Sequence, residues 1–99
     1  MKSILQDEQS CFLCHRSDYT EEHHVFHGTA NRKISEKYGL KVRLCPFCHR
    51  DNKNGVHGNN AVDLQLKQTA QSMAMEHYGW TVEQFVQVVG KNYLEVGNE

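Results

Sequence analysis

Short apolar stretches predict a small hairpin in the first half of the chain. Residues 23–26 (HHVF) lean apolar, and residues 41–44 (KVRL) alternate between polar and apolar side chains, as paired strands do. Between them, residues 34–38 predict about a turn and a half of helix that ends at Gly39, a suitable glycine cap. Residues 28–31 are expected to form a loop before this helix.

Longer helical periodicity follows in the second half. Apolar residues recur at helical spacing from Asn60 towards Gly79, where the helix is expected to end. The stripe consists of Val62, Leu66, Ala70, Met73 and His77, with Leu64 and Met75 widening it. Thr81 and Gln84 form a capping-box pattern, which predicts a second helix that ends at Gly90. Short strands followed by helices predict the α+β fold class.

Two segments carry no clear periodicity. Residues 1–10 are polar and irregular, so we expect a frayed lead-in. A short helix or helical turn is expected after Cys48, and the turn residues 52–55 (NKNG) must interrupt it.

Composition limits the size and setting of the fold. The chain has 99 residues, of which 38% are apolar, so it suits one small domain with a modest core. A metal ion that closes a long loop would add stability that such a core does not provide. The sequence contains no apolar run of membrane-spanning length, no signal peptide and no lipidation motif. We therefore expect a soluble cytoplasmic protein with no membrane partner.

The cysteines form two Cys-x-x-Cys pairs, Cys11/Cys14 and Cys45/Cys48, which enclose 30 residues and include every cysteine of the chain. Two such turns together present four sulfurs, the tetrahedral shell that structural zinc prefers. The alternative is a pair of disulfides or a redox dithiol, for which Pro46 in the CPFC motif is a minor argument. In a cytoplasmic protein the paired motifs favour zinc.

Six of the seven histidines lie between Cys11 and His57. His23 and His24 are neighbours, and side chains of neighbouring strand residues point to opposite faces, so the two cannot share one role. Neutral imidazoles of His23, His49 and His57 can converge on a divalent cation from different elements. His24 then remains free beside the metal, with an unperturbed pKa of about 6.5 that suits a general base.

Charge is unevenly distributed although the net charge is only −1. Residues 28–54 carry a local net charge of +5, and the segments on either side carry −3 each. The basic side chains are Arg32, Lys33, Lys37, Lys41, Arg43, Arg50 and Lys53. Such a centre is compatible with phosphate contact, although the charge pattern alone slightly favours a solvated face.

The motifs Cys-x-x-Cys, EHHVF and LCPFCH together resemble the zinc-containing branch of the HNH nucleases, in the ββα-metal (His-Me finger) superfamily. The closest likeness is to small phage- and prophage-encoded members, and it covers residues 11–57. It implies a single HNH-like domain over residues 1–99, with a zinc-stapled ββα-metal core at 11–57 and supporting helices at 58–99. It also implies a bacterial host or prophage-bearing cell.

The resemblance implies roles that agree with those inferred from the residues. His23, His49 and His57 would bind one catalytic divalent cation, and His24 would activate the water that hydrolyses a DNA phosphodiester. Arg32, Lys33 and Arg50 are the basic residues nearest to these motifs, so they are candidates for contacts with flanking phosphates. Imidazole ligands favour Mn, Ni, Co or Zn, and Mg also fits if water completes the shell.

Two features differ from the usual HNH pattern. Most HNH sequences have an asparagine five residues before the second cysteine pair, where this chain has Leu40, so Asn31 is our substitute for that loop-fastening residue. The last two histidines usually share one helical face, whereas His49 and His57 are eight residues apart. The helix must therefore end or kink between them, or else Asp51, Asn52 or water completes the shell.

The sequence thus predicts a metal-dependent DNA endonuclease or nickase. The alternative is a catalytically silent zinc-ribbon module that binds nucleic acid in phage DNA metabolism, and an RNA substrate is a weaker third reading. His27 can contact substrate or form a structural hydrogen bond with the loop backbone. Because so small a core grips few base pairs, a homodimer or a phage partner protein is expected to supply specificity.

Overall fold

A two-stranded antiparallel sheet and the helices around it make up residues 2–94, the part of the chain that the computed structural model describes. The elements in order are β1 (Glu21–His24), α1 (Thr29–Tyr38), β2 (Lys41–Leu44), α2 (Pro46–Arg50), α3 (Asn60–Tyr78) and α4 (Val82–Val89). The predicted α+β class is confirmed, and two helices follow the hairpin region. Residue 1 and residues 95–99 of the predicted domain lie outside the described part.

The first strand begins two residues earlier than predicted. Glu21 pairs with Leu44 and His24 pairs with Lys41, so the ladder occupies residues 21–24 rather than 23–26. Beyond the ladder, the Val25 amide donates to the Leu40 carbonyl at 3.0 Å, and Val25 is completely buried. Pairing with β2 therefore determines which residues form β1, and the most apolar residues do not.

Helix α1 is also longer than predicted, because residues 29–31 form its first turn instead of a loop. The Arg32 amide donates to the Gly28 carbonyl at 2.9 Å, which begins the helical bonding pattern. Ser35 then fastens the helix to the strand. Its hydroxyl donates to the Phe26 carbonyl at 2.7 Å and accepts the Phe26 amide at 3.2 Å.

The core lies between the hairpin and the two C-terminal helices. Its fully buried side chains include Val25, Phe26, Leu40, Val42, Leu44 and Phe85. The Phe26 and Phe85 rings meet edge to face with centroids 5.5 Å apart, which joins the hairpin to α4. The predicted stripe of α3 buries Leu66 and Ala70, whereas His77 is exposed and does not belong to it. Thr81 and Gln84 form the predicted capping box.

The expected frayed lead-in is wrong for residues 2–6, which pack against the hairpin. The Ile4 amide donates to the Gly39 carbonyl at 2.9 Å, and the Arg43 amide donates to Gln6 Oε1 at 2.8 Å. Leu5 is only 6% exposed. The segment is irregular, as predicted, but it covers the free edge of β2 and so limits edge-to-edge association.

Among residues 2–94, no helix has both the length and the apolar character needed to cross a membrane.

Two left-handed glycines provide a matched test of this N-terminal packing. Gly39 and Gly79 both end helices with φ near +70°, but only at Gly39 would a Cβ collide with the Lys2 carbonyl. We expect Gly79→Ala to cost about 1 kcal/mol of stability through backbone strain alone. Gly39→Ala should cost at least about 1 kcal/mol more, measured by urea denaturation. Equal costs would contradict the packed arrangement of residues 2–6.

Candidate metal centre

The two Cys-x-x-Cys turns bring four sulfur atoms together. The Sγ atoms of Cys11, Cys14, Cys45 and Cys48 all lie within 4.8 Å of one another, and those of Cys14 and Cys45 are 3.6 Å apart. Four sulfurs around a tetrahedral zinc ion are separated by about 3.8 Å, so the spacing fits. All four cysteines are free thiols, which removes the predicted alternative of two disulfides. They can hold a structural metal such as zinc.

Backbone amides point at these sulfurs, as expected in metal-binding turns. The Cys14 and Cys48 amides each donate to the first sulfur of their own turn at 3.5 Å. Burial alone would raise the pKa of the Cys11 thiol, but amide bonds from Cys14, Cys45 and Leu13 outweigh it and lower that pKa to about 6. Burial raises the pKa of Cys48 instead. A bound cation would stabilise all four as thiolates.

A second cluster consists of three histidines from different elements. His23 comes from β1, His49 from α2, and His57 from the loop that follows α2. One ring nitrogen of each lies within 4.8 Å of the others, and Nε2 of His49 and Nε2 of His57 are 3.0 Å apart. The structure therefore brings together the three residues predicted to bind a catalytic cation.

His23 is suited to metal binding by its burial. The residue is only 3% exposed, and its Nε2 is a buried atom with no hydrogen-bond partner within residues 2–94. Burial, followed by electrostatic repulsion from the imidazoles of His49 and His57, lowers the pKa of His23 to about 3. The ring is therefore neutral at pH 7. An unpaired buried nitrogen is unfavourable by about 1–3 kcal/mol, and a bound cation would satisfy it.

Glu21 holds the second ring in the orientation that a ligand needs. His49 Nδ1 donates to Glu21 Oε1 at 2.7 Å, which leaves Nε2 as the nitrogen facing the cluster. The Glu21 carboxylate also accepts from the Arg50 guanidinium. The hydrogen bond from His49, and then the charge of Arg50, lower the pKa of Glu21. Sequence reasoning missed this residue, although its position two before His23 places both on one face of β1.

The loop after α2 explains how two histidines eight residues apart can meet. Helix α2 ends at Arg50, and the chain then doubles back until the His57 amide donates to the His49 carbonyl at 3.2 Å. The turn is tight, because a Cβ at Gly58 would collide with the Asp51 carbonyl. The helix thus ends between the two histidines, which is one of the two alternatives that the sequence left open.

Asp51 serves this turn and does not join the histidine cluster. Its Oδ2 accepts the amides of Lys53 at 3.0 Å and Asn54 at 2.9 Å. These bonds lower the pKa of its carboxyl. Within the described residues, Asp51 does not belong to a group of potential ligands with the three histidines.

His24 lies on the other face of β1, as strand alternation requires. Its Nε2 is 2.9 Å from Glu36 Oε1, and its side chain is 14% exposed. Lys41 lies beside them, with Nζ 2.9 Å from Glu36 and 3.3 Å from Glu22. His24 is therefore outside the three-histidine cluster but next in sequence to one of its members. Its role as general base stays a prediction.

The remaining predicted residues lie on α1 and α2. Asn31 is half-buried in the first turn of α1, and within residues 2–94 its side chain makes no hydrogen bond. Its loop-fastening role therefore stays a prediction without a contact to support it. Arg32 and Lys33 are exposed and make no ion pair in the described part of the chain. Arg50 is exposed too, but its guanidinium already contacts Glu21.

His27 and Asp63 complete the rim of the histidine cluster. The His27 ring centroid is 5.9 Å from that of His23 and 5.7 Å from that of His57. Its Nε2 is 3.5 Å from Asp63 Oδ2, and Lys67 pairs with the same carboxylate oxygen at 2.8 Å. His27 thus contacts a side chain of α3 and not the loop backbone. The only signal for this pairing in the sequence was the four-residue spacing of Asp63 and Lys67 on one predicted helix.

A scan against protein-family models, a search of curated proteins and a search of solved structures each found no match for this chain. Its chemistry is therefore inferred from the residues and geometry described above.

Replacing one cysteine should separate the two clusters experimentally. Cys45→Ser should release the zinc and unfold the chain, because structural zinc contributes about 10–16 kcal/mol, as much as the whole stability of a small domain. Bound zinc measured by mass spectrometry and unfolding followed by circular dichroism would test this. His49→Ala is the control and should keep the tightly bound zinc. Equal zinc loss in both variants would contradict two separate centres.

The buried His23 should make the folded protein less stable at acidic pH when the histidine cluster holds no metal. The folded-state pKa is about 3 and the unfolded value is 6.5, so the unfolded chain binds a proton that the folded chain excludes between these values. Stability should therefore fall as pH decreases below 6.5. Between pH 7 and pH 5, His23→Asn should reduce this fall by about 2 kcal/mol in urea denaturation. An unchanged pH dependence would contradict a buried neutral His23.

Proposed function

We propose that this protein is a metal-dependent HNH-type endonuclease or nickase that hydrolyses DNA phosphodiester bonds. The observation that carries the proposal is the convergence of His23, His49 and His57 around the unpaired buried nitrogen of His23. Three imidazoles with one carboxylate-supported ring are a donor set for a catalytic cation, because they leave positions open for water and substrate.

The histidine cluster would hold the catalytic cation, and the cysteine cluster a structural zinc ion. A divalent cation bound by the histidines would supply Lewis-acid stabilisation of the charge that develops on the phosphoryl group and the leaving 3′-oxygen. Mn, Ni, Co and Zn suit the imidazole donors best, and Mg would need additional water ligands.

His24 is the proposed general base. It is fixed on the strand that also carries His23, and a neutral imidazole can accept a proton from water near neutral pH. Strand alternation separates its ring from the rings of His23, His49 and His57, so it does not belong to their cluster. A catalytically silent binding module would have no use for such a group.

Arg32 and Lys33 are the proposed phosphate contacts. Both are exposed on α1, and neither is neutralised by an ion pair within residues 2–94. Arg50 is a weaker candidate for direct contact, because Glu21 already engages its guanidinium. The local net charge of +5 in residues 28–54 favours DNA over an uncharged or anionic partner.

The same proposal includes a biological setting. A phage or prophage protein acting in the cytoplasm of its bacterial host fits the sequence resemblance. A homodimer or a phage partner protein would extend the few base pairs that a single chain can contact.

Nicking of supercoiled plasmid is the direct test. The wild type should nick in the presence of at least one of Mn, Mg, Ni, Co or Zn, and EDTA should abolish the activity. His49→Ala should lose activity together with cation binding. His24→Ala should keep both metals and lower the rate by about 10²–10⁴-fold, the usual contribution of general-base catalysis.

His77→Ala is the matched control, because His77 is an exposed histidine on α3 outside the cluster. It should nick at the rate of the wild type. If no variant and no cation supports cleavage while the wild type still binds DNA, the chain is a zinc-containing binding module instead. Cleavage of RNA but not of DNA would contradict the proposed substrate.

A further inference from the structure

The contact between His24 and Glu36 lies on the face of β1 opposite the three-histidine cluster. It joins the last residue of β1 to the middle of α1, with 2.9 Å between Nε2 and Oε1. The His24 side chain is mostly buried, at 14% exposed, so its ring has little freedom to turn away. Helix α1 is thereby connected to the strand through the ring itself.

Lys41 fixes the carboxylate that contacts His24. Its ammonium donates to Glu36 Oε1 at 3.1 Å and to Oε2 at 2.9 Å. Lys41 is in turn paired with His24 across the β1–β2 ladder, so the three groups are held by the sheet. The hydrogen bond from His24, and then that from Lys41, lower the pKa of Glu36 to about 2. The carboxylate is therefore ionised at neutral pH.

An ionised carboxylate can only accept hydrogen bonds, and this determines the state of the ring. Nε2 of a neutral His24 must carry the proton, which leaves Nδ1 with its lone pair. Nδ1 makes no hydrogen bond within residues 2–94. The contact thus selects the tautomer with one unoccupied acceptor nitrogen.

A second cation site is the other reading of this group, since Glu22, His24 and Glu36 have ligand atoms within 4.8 Å of one another. The Lys41 ammonium already lies within 3.3 Å of both carboxylates and provides the positive charge. A divalent ion there would be repelled by it at short range. The geometry therefore favours a positioned histidine over a metal ligand.

We infer that Glu36 is a positioning residue of the proposed nuclease, which holds His24 in the Nε2–H tautomer so that Nδ1 accepts the proton of the attacking water. The inference rests on the proposed function.

The position of β1 allows both faces to act on one phosphate. In the described structure β1 pairs only with β2, so its other edge is not covered by a strand. His23 and His24 are adjacent residues of this strand, with their rings on opposite faces. A phosphodiester bound along this edge would meet the metal-binding rings on one face and His24 on the other.

Glu36 and Glu22 provide a matched pair of variants. Both carboxylates pair with Lys41 and both are about half exposed, at 46% and 44%, but only Glu36 hydrogen-bonds His24 in the described structure. Glu36→Ala should lower the single-turnover nicking rate by about 10- to 100-fold, with KM changed less than about 3-fold. Glu22→Ala should stay within about 3-fold of the wild type in both.

Glu36→Gln is the second variant, in case the alanine variant does not fold. The glutamine side chain has the same size as that of Glu36. If its carbonyl oxygen accepts from Lys41, its NH2 group donates to Nε2 of His24 and favours the tautomer protonated at Nδ1. It should therefore lower the rate as well. Nitrogen-15 NMR of the zinc-loaded protein reads the tautomer directly, without activity. The wild type and Glu22→Ala should show His24 protonated at Nε2 alone, and the Glu36 variants should not.

The outcomes separate the inference from the proposed function. If the wild type nicks DNA while the Glu36 variants cut as fast as Glu22→Ala or keep the wild-type tautomer, the inference alone is overturned. If the wild type fails to nick DNA with every cation tested, the proposed function is overturned, and the catalytic role of Glu36 is overturned with it. A lower rate together with a changed tautomer in the Glu36 variants supports both.

Discussion

The meeting of four cysteine sulfurs is the constraint on which the rest of the site depends. Four thiolates within 4.8 Å of one another would repel strongly, and a cation held among them would remove that repulsion. The cysteine pairs also position their surroundings. Phe12, inside the first turn, donates its amide to the Arg43 carbonyl at 2.8 Å, and Cys45 begins α2 directly after β2. The same sulfur cluster therefore joins the lead-in, the hairpin and the helix that carries His49.

The histidine cluster is a second structure that the first one makes possible. His49 follows Cys48 directly, and the Val56 amide donates to the Cys48 carbonyl at 2.8 Å, which brings the next residue, His57, back towards α2. His23 meets them from β1 in a buried position where its Nε2 has no partner among residues 2–94. Such a nitrogen opposes folding of the metal-free chain. A metal held by the nearby cysteines would offset this cost in a chain of only 99 residues.

The sequence predicted what short-range patterns determine, and it missed what depends on tertiary pairing. The cysteine turns and the ends of α3 and α4 follow from spacing that the chain displays locally, whereas the convergence of three histidines from separate elements was predicted from residue type and the family resemblance. The register of β1 could not be read this way, because it follows from pairing with residues 41–44. The packing of residues 2–6 was missed for the same reason: Gln6 satisfies the Arg43 amide, a partner 37 residues away. The acidic partners of the histidines belong to this second class, except that Glu21 was accessible through strand periodicity.

Those acidic partners show a common design on the two faces of β1. On one face, Glu21 receives His49 Nδ1 and is itself neutralised by Arg50; on the other, Glu36 receives His24 Nε2 and is neutralised by Lys41. In each case the hydrogen bond from the histidine, and then the neighbouring cation, lowers the pKa of the carboxyl, and the carboxylate determines which ring nitrogen keeps a lone pair. The two faces differ in what surrounds the free nitrogen. His49 Nε2 faces two more imidazoles, which suits a shared cation. Within residues 2–94, His24 is not grouped with another imidazole, so its Nδ1 suits a proton. In the proposed function, alternation along this one strand would separate metal binding from proton transfer.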